Sequence, residues 1–508
     1  VAGATTIQGT FANVSNTVIT ELAGTLSGAG TLNRLTSSMT PLILSNPGNT
    51  YSGGTNVVGG MLQATATTGT PLGTGPVRVF GGPGTGGLRL AGIGSLGGAP
   101  LTVMSGVNSM GVVILDNSFD PSPVLTRGSF GSAYGTMLQM GVPFFTQPLD
   151  MATIGDGRAF LASGIQVGSE AAYVAATLGA GLADQFSAIN NQPVYRLVPG
   201  TYPGITSTMA ITLSGSDNVL TDKAGAPTFL QVGPQVGNVG GFLQYNGALS
   251  VRNANNFTGG TQIAKLNTVT VETGGGPAGL SALGSGPVEV YGTLQTGVSA
   301  GFGVGSFFNA ATGQNTNPIV LRLGGVVIIN DIQGSTLAGN QGRWGDSVPV
   351  ELNGGTFRFY GAAGTQSYEA IGVVNASKAG TLTVGASATA GNARLQLAGL
   401  NRPGPSSAGA AGWSTAAYAG AGSLYLNNGT ATMLGIPSSG QPTMWERITV
   451  AGGMATGGVT NNGLGVTAGG MVAPWVVDVK NNTWVGYNPT AGVFGGVDTG
   501  FQTIYPNN

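Results

Sequence analysis

Apolar residues recur at every second position along much of this chain. Leu88 and Leu90, Val269 and Val271, Val288 and Val290, and Ile319, Leu321 and Leu323 all alternate with other residues. So do Phe357 and Phe359, Leu382 and Val384, and Leu395 and Leu397. Each run lasts about three to six residues and stops at Gly, Asn or Pro, the pattern of short half-buried strands with turns between them. Gly53-Gly54, Gly259-Gly260, Asn353-Gly354 and Asn428-Gly429 supply positive φ at low steric cost. The pattern predicts an all-β chain with one exception. Val174, Leu178, Leu182 and Phe186 lie four apart, which predicts a short helix within 169–189 starting near Ser169 and Glu170. Gly179 and Gly181 inside it each cost about 1 kcal/mol relative to Ala.

Composition narrows the chemistry. Of 508 residues, 93 are Gly and 26 are Pro, and only 7% are charged, against about 25% in an ordinary soluble domain. There is no His and no Cys. That excludes disulfides, thiolate metal sites, a Cys nucleophile, a Ser–His–Asp triad and an imidazole base. A net charge of −1 leaves no basic footprint for nucleic acid. The 41% hydrophobic content opposes generic disorder. The absence of a Gly period of three excludes collagen. Gly, Pro, Thr and Asn interrupt every charge-free stretch, so none reads as a membrane-spanning helix. The start at Val1 reads as a processed protein or a fragment of a longer one.

The chain also resembles itself. Asn49 to Val79 and Asn255 to Val290 both open on an aromatic, a hydroxyl residue and Gly-Gly-Thr, and both close on Leu-Gly-(Thr/Ser)-Gly-Pro-Val-x-Val. Gly53 to Gly73 spans 20 residues and Gly259 to Gly284 spans 25. A strand–turn–strand unit of this size buries a face only by stacking on the next unit, the logic of a solenoid. With 20–25 residues per rung and rungs about 4.8 Å apart, the whole chain predicts about 20–25 rungs and a rod of about 100 Å. Its two open ends must each be capped or paired.

These residues carry a family resemblance. Gly30-Thr31-Leu32, Tyr51-Ser52-Gly53-Gly54-Thr55 and Gly60-Met61-Leu62-Gln63 resemble the autotransporter-associated β-strand repeat. The second copy is similar at Gly247-Ala248-Leu249, at Asn256-Phe257-Thr258-Gly259-Gly260-Thr261 and at Leu283-Gly284-Ser285-Gly286-Pro287-Val288. It departs after Thr261, where Ala264-Lys265-Leu266 replaces Gly-x-Leu. Tyr195 to Thr221, Leu352 to Arg358 and Pro474 to Val493 resemble the spacer, rung and closing segments of long surface proteins from planctomycete-like and verrucomicrobial-like bacteria. The resemblance implies a right-handed parallel β-helix, exported and displayed at the bacterial cell surface. Many members of the family end in an outer-membrane barrel. Gln441 to Asn508 lacks the series of alternating ten-residue strands that a barrel needs.

The expected organisation is a β-solenoid over 1–165 with the first repeat, a spacer or insertion over 166–235, a second solenoid over 236–440 and a terminal capping or docking segment over 441–508. The repeat-motif residues are Gly53, Gly54, Thr55, Leu72, Gly73, Gly75 and Pro76, then Gly259, Gly260, Thr261, Leu283, Gly284, Gly286 and Pro287. Trp445, Trp475 and Trp484 are the candidate docking aromatics, with Trp413 a further one. For an enzyme, the candidates are Asp116 with Asp120, and Asp331, Arg343 and Asp346 around Trp344, whose ring could stack on a sugar. No cofactor is expected, and isolated calcium ions at Asp156, Asp217 or Asp498 are the one metal candidate. Sparse charge and Thr-, Ser- and Asn-rich polar positions favour self-association over a free enzyme. The expected function is an extracellular, non-enzymatic structural protein, a homo-oligomer or polymer forming a surface fibre, sheath or layer. The second reading is a single-rod adhesin or autotransporter passenger contacting glycans or a surface. The third is a carbohydrate-active β-helix enzyme.

Overall fold

A computed structural model describes residues 5–8, 10–13, 19–36, 40–80, 86–104, 111–123, 125, 130–131, 137–164, 170–183, 192–198, 209–233, 247–272, 281–296, 319–331, 344, 348–364, 366–385, 392–401, 423–429, 445–450, 476–488 and 500–503. The alternating runs form strands as the pattern predicts, except that Leu323 lies exposed in the turn after Ile319–Leu321, and nearly all of the strands pair in parallel. A parallel partner one rung away needs a long connection, and here that connection is a circuit of the solenoid. The chain is a parallel β-solenoid made of two compact units. One comprises 1–250 with 257–259, the other 251–256 with 260–508.

In the first unit one ladder runs through nine strands: Thr20–Leu22, Leu42–Leu44, Thr55–Ala64, Gly86–Leu90, Val112–Leu115, Met137–Met140, Phe160–Ser163, Val194–Val198 and Phe229–Val232. Its register aligns Leu42, Leu62, Leu88, Val113, Leu138, Leu161, Leu197 and Val232 in one column. Every one of them is buried. An aliphatic side chain at such a place contributes roughly 1.5–3 kcal/mol by leaving water, and the column makes register costly to change. A one-residue slip would turn each of these residues outward.

The second unit has a matching ladder of seven strands: Gly260–Ile263, Val288–Val290, Ile319–Leu321, Val350–Leu352, Gln366–Ala376, Asn392–Asn401 and Trp445–Val450. A second sheet of this unit stacks Val269, Leu294, Val327, Phe357, Leu382 and Leu426 into its core. Near the end of the chain the direction reverses. Val476–Asp478 pairs antiparallel with Thr483–Asn488, and that strand pairs antiparallel with Gly500–Thr503.

Two expectations need correction. Among the described residues the two ladders have nine and seven rungs, and a constant interval of 20–25 residues does not hold, because the spacing between partners varies. Leu42 meets Leu62 after 20 residues and Thr55 meets Val77 after 22. Leu161, however, meets Leu197 after 36 and Leu395 meets Ile448 after 53. Insertions lengthen the connections while the strands keep register.

The helix within 169–189 is not formed by its described residues. Glu170–Tyr173 is a strand pairing with Phe144–Phe145 and with Met209–Leu213, and Leu178–Gly179 pairs with Leu149–Asp150. Ala171 and Tyr173 are both fully buried, two residues apart, which is the strand period. The four-residue spacing arises because Val174 follows one strand, Leu178 opens the next and Leu182 follows an isolated bridge at Gly181. A Cβ on Gly179 would lie 2.7 Å from Asp150 Oδ1, and one on Gly181 would lie 2.5 Å from the Gly157 carbonyl oxygen. The two glycines admit the neighbouring rung. Phe186 lies outside the described residues.

Candidate functional site

The repeat motif turns out to be a stacked corner. In the first copy Leu32 pairs with Thr55 and Thr55 with Val77. Gly30-Thr31-Leu32, Tyr51 to Thr55 and Leu72 to Val77 are therefore three successive storeys of one corner. Contacts between storeys explain the residue types. A Cβ on Gly53 would lie 2.5 Å from the Gly30 carbonyl oxygen, and one on Gly75 would lie 2.3 Å from that of Ser52. Gly54 has φ +97°, and a Cβ there would lie 2.6 Å from the Pro76 carbonyl oxygen, which accepts from Thr55 N at 2.9 Å. Thr55 Oγ1 donates to the Leu72 carbonyl at 3.0 Å and lies 2.6 Å from the Tyr51 hydroxyl. Burial pushes the ionisation of Tyr51 upward despite that contact. Leu72 is fully buried, and Gly73 has φ +77°.

The second copy repeats this geometry. Gly260 has φ +107° with the Pro287 carbonyl oxygen 2.7 Å from its would-be Cβ. That carbonyl accepts from Thr261 N at 2.8 Å, and Thr261 Oγ1 donates to the Leu283 carbonyl at 3.2 Å. Gly259 sits against the Thr228 carbonyl, Gly284 has φ +69°, and Gly286 is buried. Asn49 Nδ2 donates to the Pro71 carbonyl, and Asn255 Nδ2 to the Ala282 carbonyl. The copies part where the sequence departs. Thr55–Ala64 is one ten-residue strand. After Thr261, a turn at 264–267 separates Gly260–Ile263 from Thr268–Val271, with Leu266 at φ +69° and exposed.

Each candidate catalytic group among the described residues is engaged in contacts of its own. Asp116 is held by Arg89, with Nη2 at 2.5 Å, and accepts from Gln63 Nε2 at 3.1 Å. Asp120 caps its own turn through Ser122 N and Oγ, at 2.9 and 2.8 Å. Trp344 is fully buried, edge-on to Phe357 at 5.2 Å. Its Nε1 donates to the Val348 carbonyl and its backbone N to Glu369 Oε1. Its ring is thus a core residue and offers no platform to a sugar. Asp331 is buried, and Arg343 and Asp346 lie outside the described residues.

Asp156 accepts from Arg158 N, Asp217 is exposed, and Asp498 lies outside the described residues. Among the described residues no group of three acidic side chains could hold a metal ion. Trp445 and Trp484 occupy strand positions, whereas Trp413 and Trp475 lie outside the described residues.

One constellation escaped the sequence reading. Glu289 and Glu351 occupy the same outward column, with Val320 between them. Arg322 reaches Glu289 with Nε at 3.0 Å and with Nη2, and Gln262 Nε2 donates to the other carboxylate oxygen at 3.1 Å. Glu289 is almost fully buried. Burial raises the pKa of Glu351 above the usual carboxylate value, while Arg322, Ser377 and Asn375 oppose the rise. Burial also raises Tyr291, helped by Glu289. The signal was in the pattern: Val288-Glu289-Val290 and Val350-Glu351-Leu352 each set a carboxylate between core residues in a chain poor in charge.

The fold and its corners define a parallel β-solenoid. Comparison of the chain with family models, curated proteins and solved structures finds no match. No helix among the described residues is long and apolar enough to cross a membrane.

Proposed function

We propose that this is an extracellular structural protein whose β-solenoid units self-assemble into a bacterial surface fibre, sheath or layer. The observation that carries this reading is the chemistry of the outer faces. Arg89, Arg252, Arg322 and Lys223 are each paired with a carboxylate, at Asp116, Glu272, Glu289 and Asp150. Elsewhere amides stack on amides. Asn56 Nδ2 donates to Asn33 Oδ1 at 2.8 Å, and Asn401 Nδ2 to Asn375 Oδ1 at 3.2 Å. Faces of this kind lack the self-repulsion that keeps proteins apart. The twice-built corner directs the repeat's buried hydroxyls to stacking: Thr55 and Thr261 each donate to a carbonyl of the next storey.

Electron microscopy of the native material across a dilution series tests the reading. Regular filaments or sheets with a fixed repeat are expected. Single particles at every concentration would overturn it and favour the single-rod adhesin. Hydrolysis of a polysaccharide, lost on Glu289→Gln or Glu351→Gln, would instead establish the carbohydrate-active reading.

A further inference from the structure

The second unit carries an outward column that is unusual in its regularity. Thr268, Thr293, Val326, Thr356, Thr381, Tyr425 and Val477 are register partners on seven consecutive strands. Each is half-buried, while the neighbours Val269, Leu294, Val327, Phe357, Leu382 and Leu426 point inward and are fully buried. The column carries no charge over its whole height. Two residues along the strands, a parallel column holds Thr270, Gln295, Ile328, Arg358, Thr383 and Asn427, and Arg358 is its one charged member.

Six of the seven residues in the first column are β-branched. Val326 has the branched shape of threonine without its hydroxyl, so shape continues through the column where hydroxyl chemistry does not. β-Branched side chains are stiff at χ1, and ordering them against a partner costs less side-chain entropy than ordering long polar ones. They repeat at the rung spacing of about 4.8 Å. A partner that fits this surface rung for rung must have the same repeat, and a second copy of the chain has it by construction. Identical columns on facing sheets interdigitate about 10 Å apart; the column itself brings no like charges together, and Arg358 in the adjacent column is the one charge the contact must accommodate.

We propose that this face is a lateral contact with a second copy of the chain. The proposal rests on the assembly reading above and names the surface responsible. Seven rungs and strands of about five residues give a patch of about 29 by 16 Å, so that two copies cover about 900 Å² in total. That is the size of a transient contact. One such contact is weak alone and lasting only where a polymer holds each copy by several at once.

The test compares the full chain with Thr293→Lys/Thr356→Lys, Thr293→Val/Thr356→Val, and Thr102→Lys as a charge control on an outward position of the first unit. Sedimentation velocity and electron microscopy give the concentration at half assembly, and circular dichroism checks the fold. The lysine pair should raise that concentration at least about tenfold by facing like charges across the contact. The valine pair should leave it within about twofold, because shape is retained. The control should leave it unchanged. Assembly of the lysine pair at wild-type concentration would overturn this face and leave the assembly reading standing. Loss of assembly in the valine pair would overturn the shape argument and point to a hydroxyl-reading partner. A wild-type chain that never assembles would overturn the parent reading and this contact with it.

Discussion

Gly54 and Gly98 show how differently two glycines with positive φ can be constrained. Both have left-handed backbones, at φ +97° and +83°. A Cβ at Gly54 would meet the Pro76 carbonyl oxygen at 2.6 Å, whereas at Gly98 nothing lies within 4 Å. Gly98→Ala should cost about 1–2 kcal/mol, the backbone penalty alone. Gly54→Ala adds a collision with the next rung's main chain and should cost at least about 3 kcal/mol. Chemical denaturation of the two variants checks this, and equal losses would show that the stacked corner is not under steric control. Glu351 permits a second residue-scale test. Its folded pKa lies above the ordinary carboxylate value, so the folded state binds the proton more tightly than the unfolded chain. The resulting stabilisation is present below the ordinary value and is lost as pH rises through the raised one. Glu351→Gln should therefore gain in melting temperature relative to wild type as pH rises from about 4 to about 8. A difference that stays flat would place Glu351 in a fully hydrated setting.

At the scale of strands and corners, the Glu289–Arg322 pair asks what a charge does on an outer column. Removing Arg322 leaves a nearly buried carboxylate with Gln262 as its remaining hydrogen-bond donor. Arg322→Ala should destabilise the second unit by about 3 kcal/mol, the low end for a broken buried pair because Arg322 keeps some contact with water. Glu289→Gln in the same chain should recover much of that loss. Thermal unfolding of the single and double variants provides the measurement, and additive losses would rule out coupling.

The same elements mark how much could be read in advance. Strands such as Val288–Val290 and Phe357 to Phe359 were legible because one face is buried and period two survives in so few residues. The corner glycines were legible as turn formers. Their role as contacts between storeys was not, since Gly54 and Pro76 are 22 residues apart in sequence and meet only once the rung closes. The pattern at Val174, Leu178 and Leu182 misled because short strands and the turns between them can place apolar residues four apart, as a helix does. Glu289 and Glu351 each stood out locally as a carboxylate between core residues, but their shared column exists only between rungs, and no local window contains it.

For the molecule as a whole, the balance of 17 basic against 18 acidic residues bears on the assembly proposed above. A polymer held by charge would weaken steadily as salt screens it, since the screening length falls from about 10 Å at 0.1 M to about 3 Å at 1 M. A polymer held by neutral β-branched columns and stacked amides has little to screen. Its contacts bury surface, and sulfate strengthens burial by being excluded from protein surfaces. The half-assembly concentration should therefore change by less than about twofold between 0.05 and 0.5 M sodium chloride, and should fall in sodium sulfate at matched ionic strength. Light scattering across the two salt series distinguishes the cases. A steep rise of the half-assembly concentration with sodium chloride would assign the contacts to exposed charges such as Arg78 and Lys265. The neutral faces would then be an ordinary consequence of a chain with few charges, rather than the surface on which it associates.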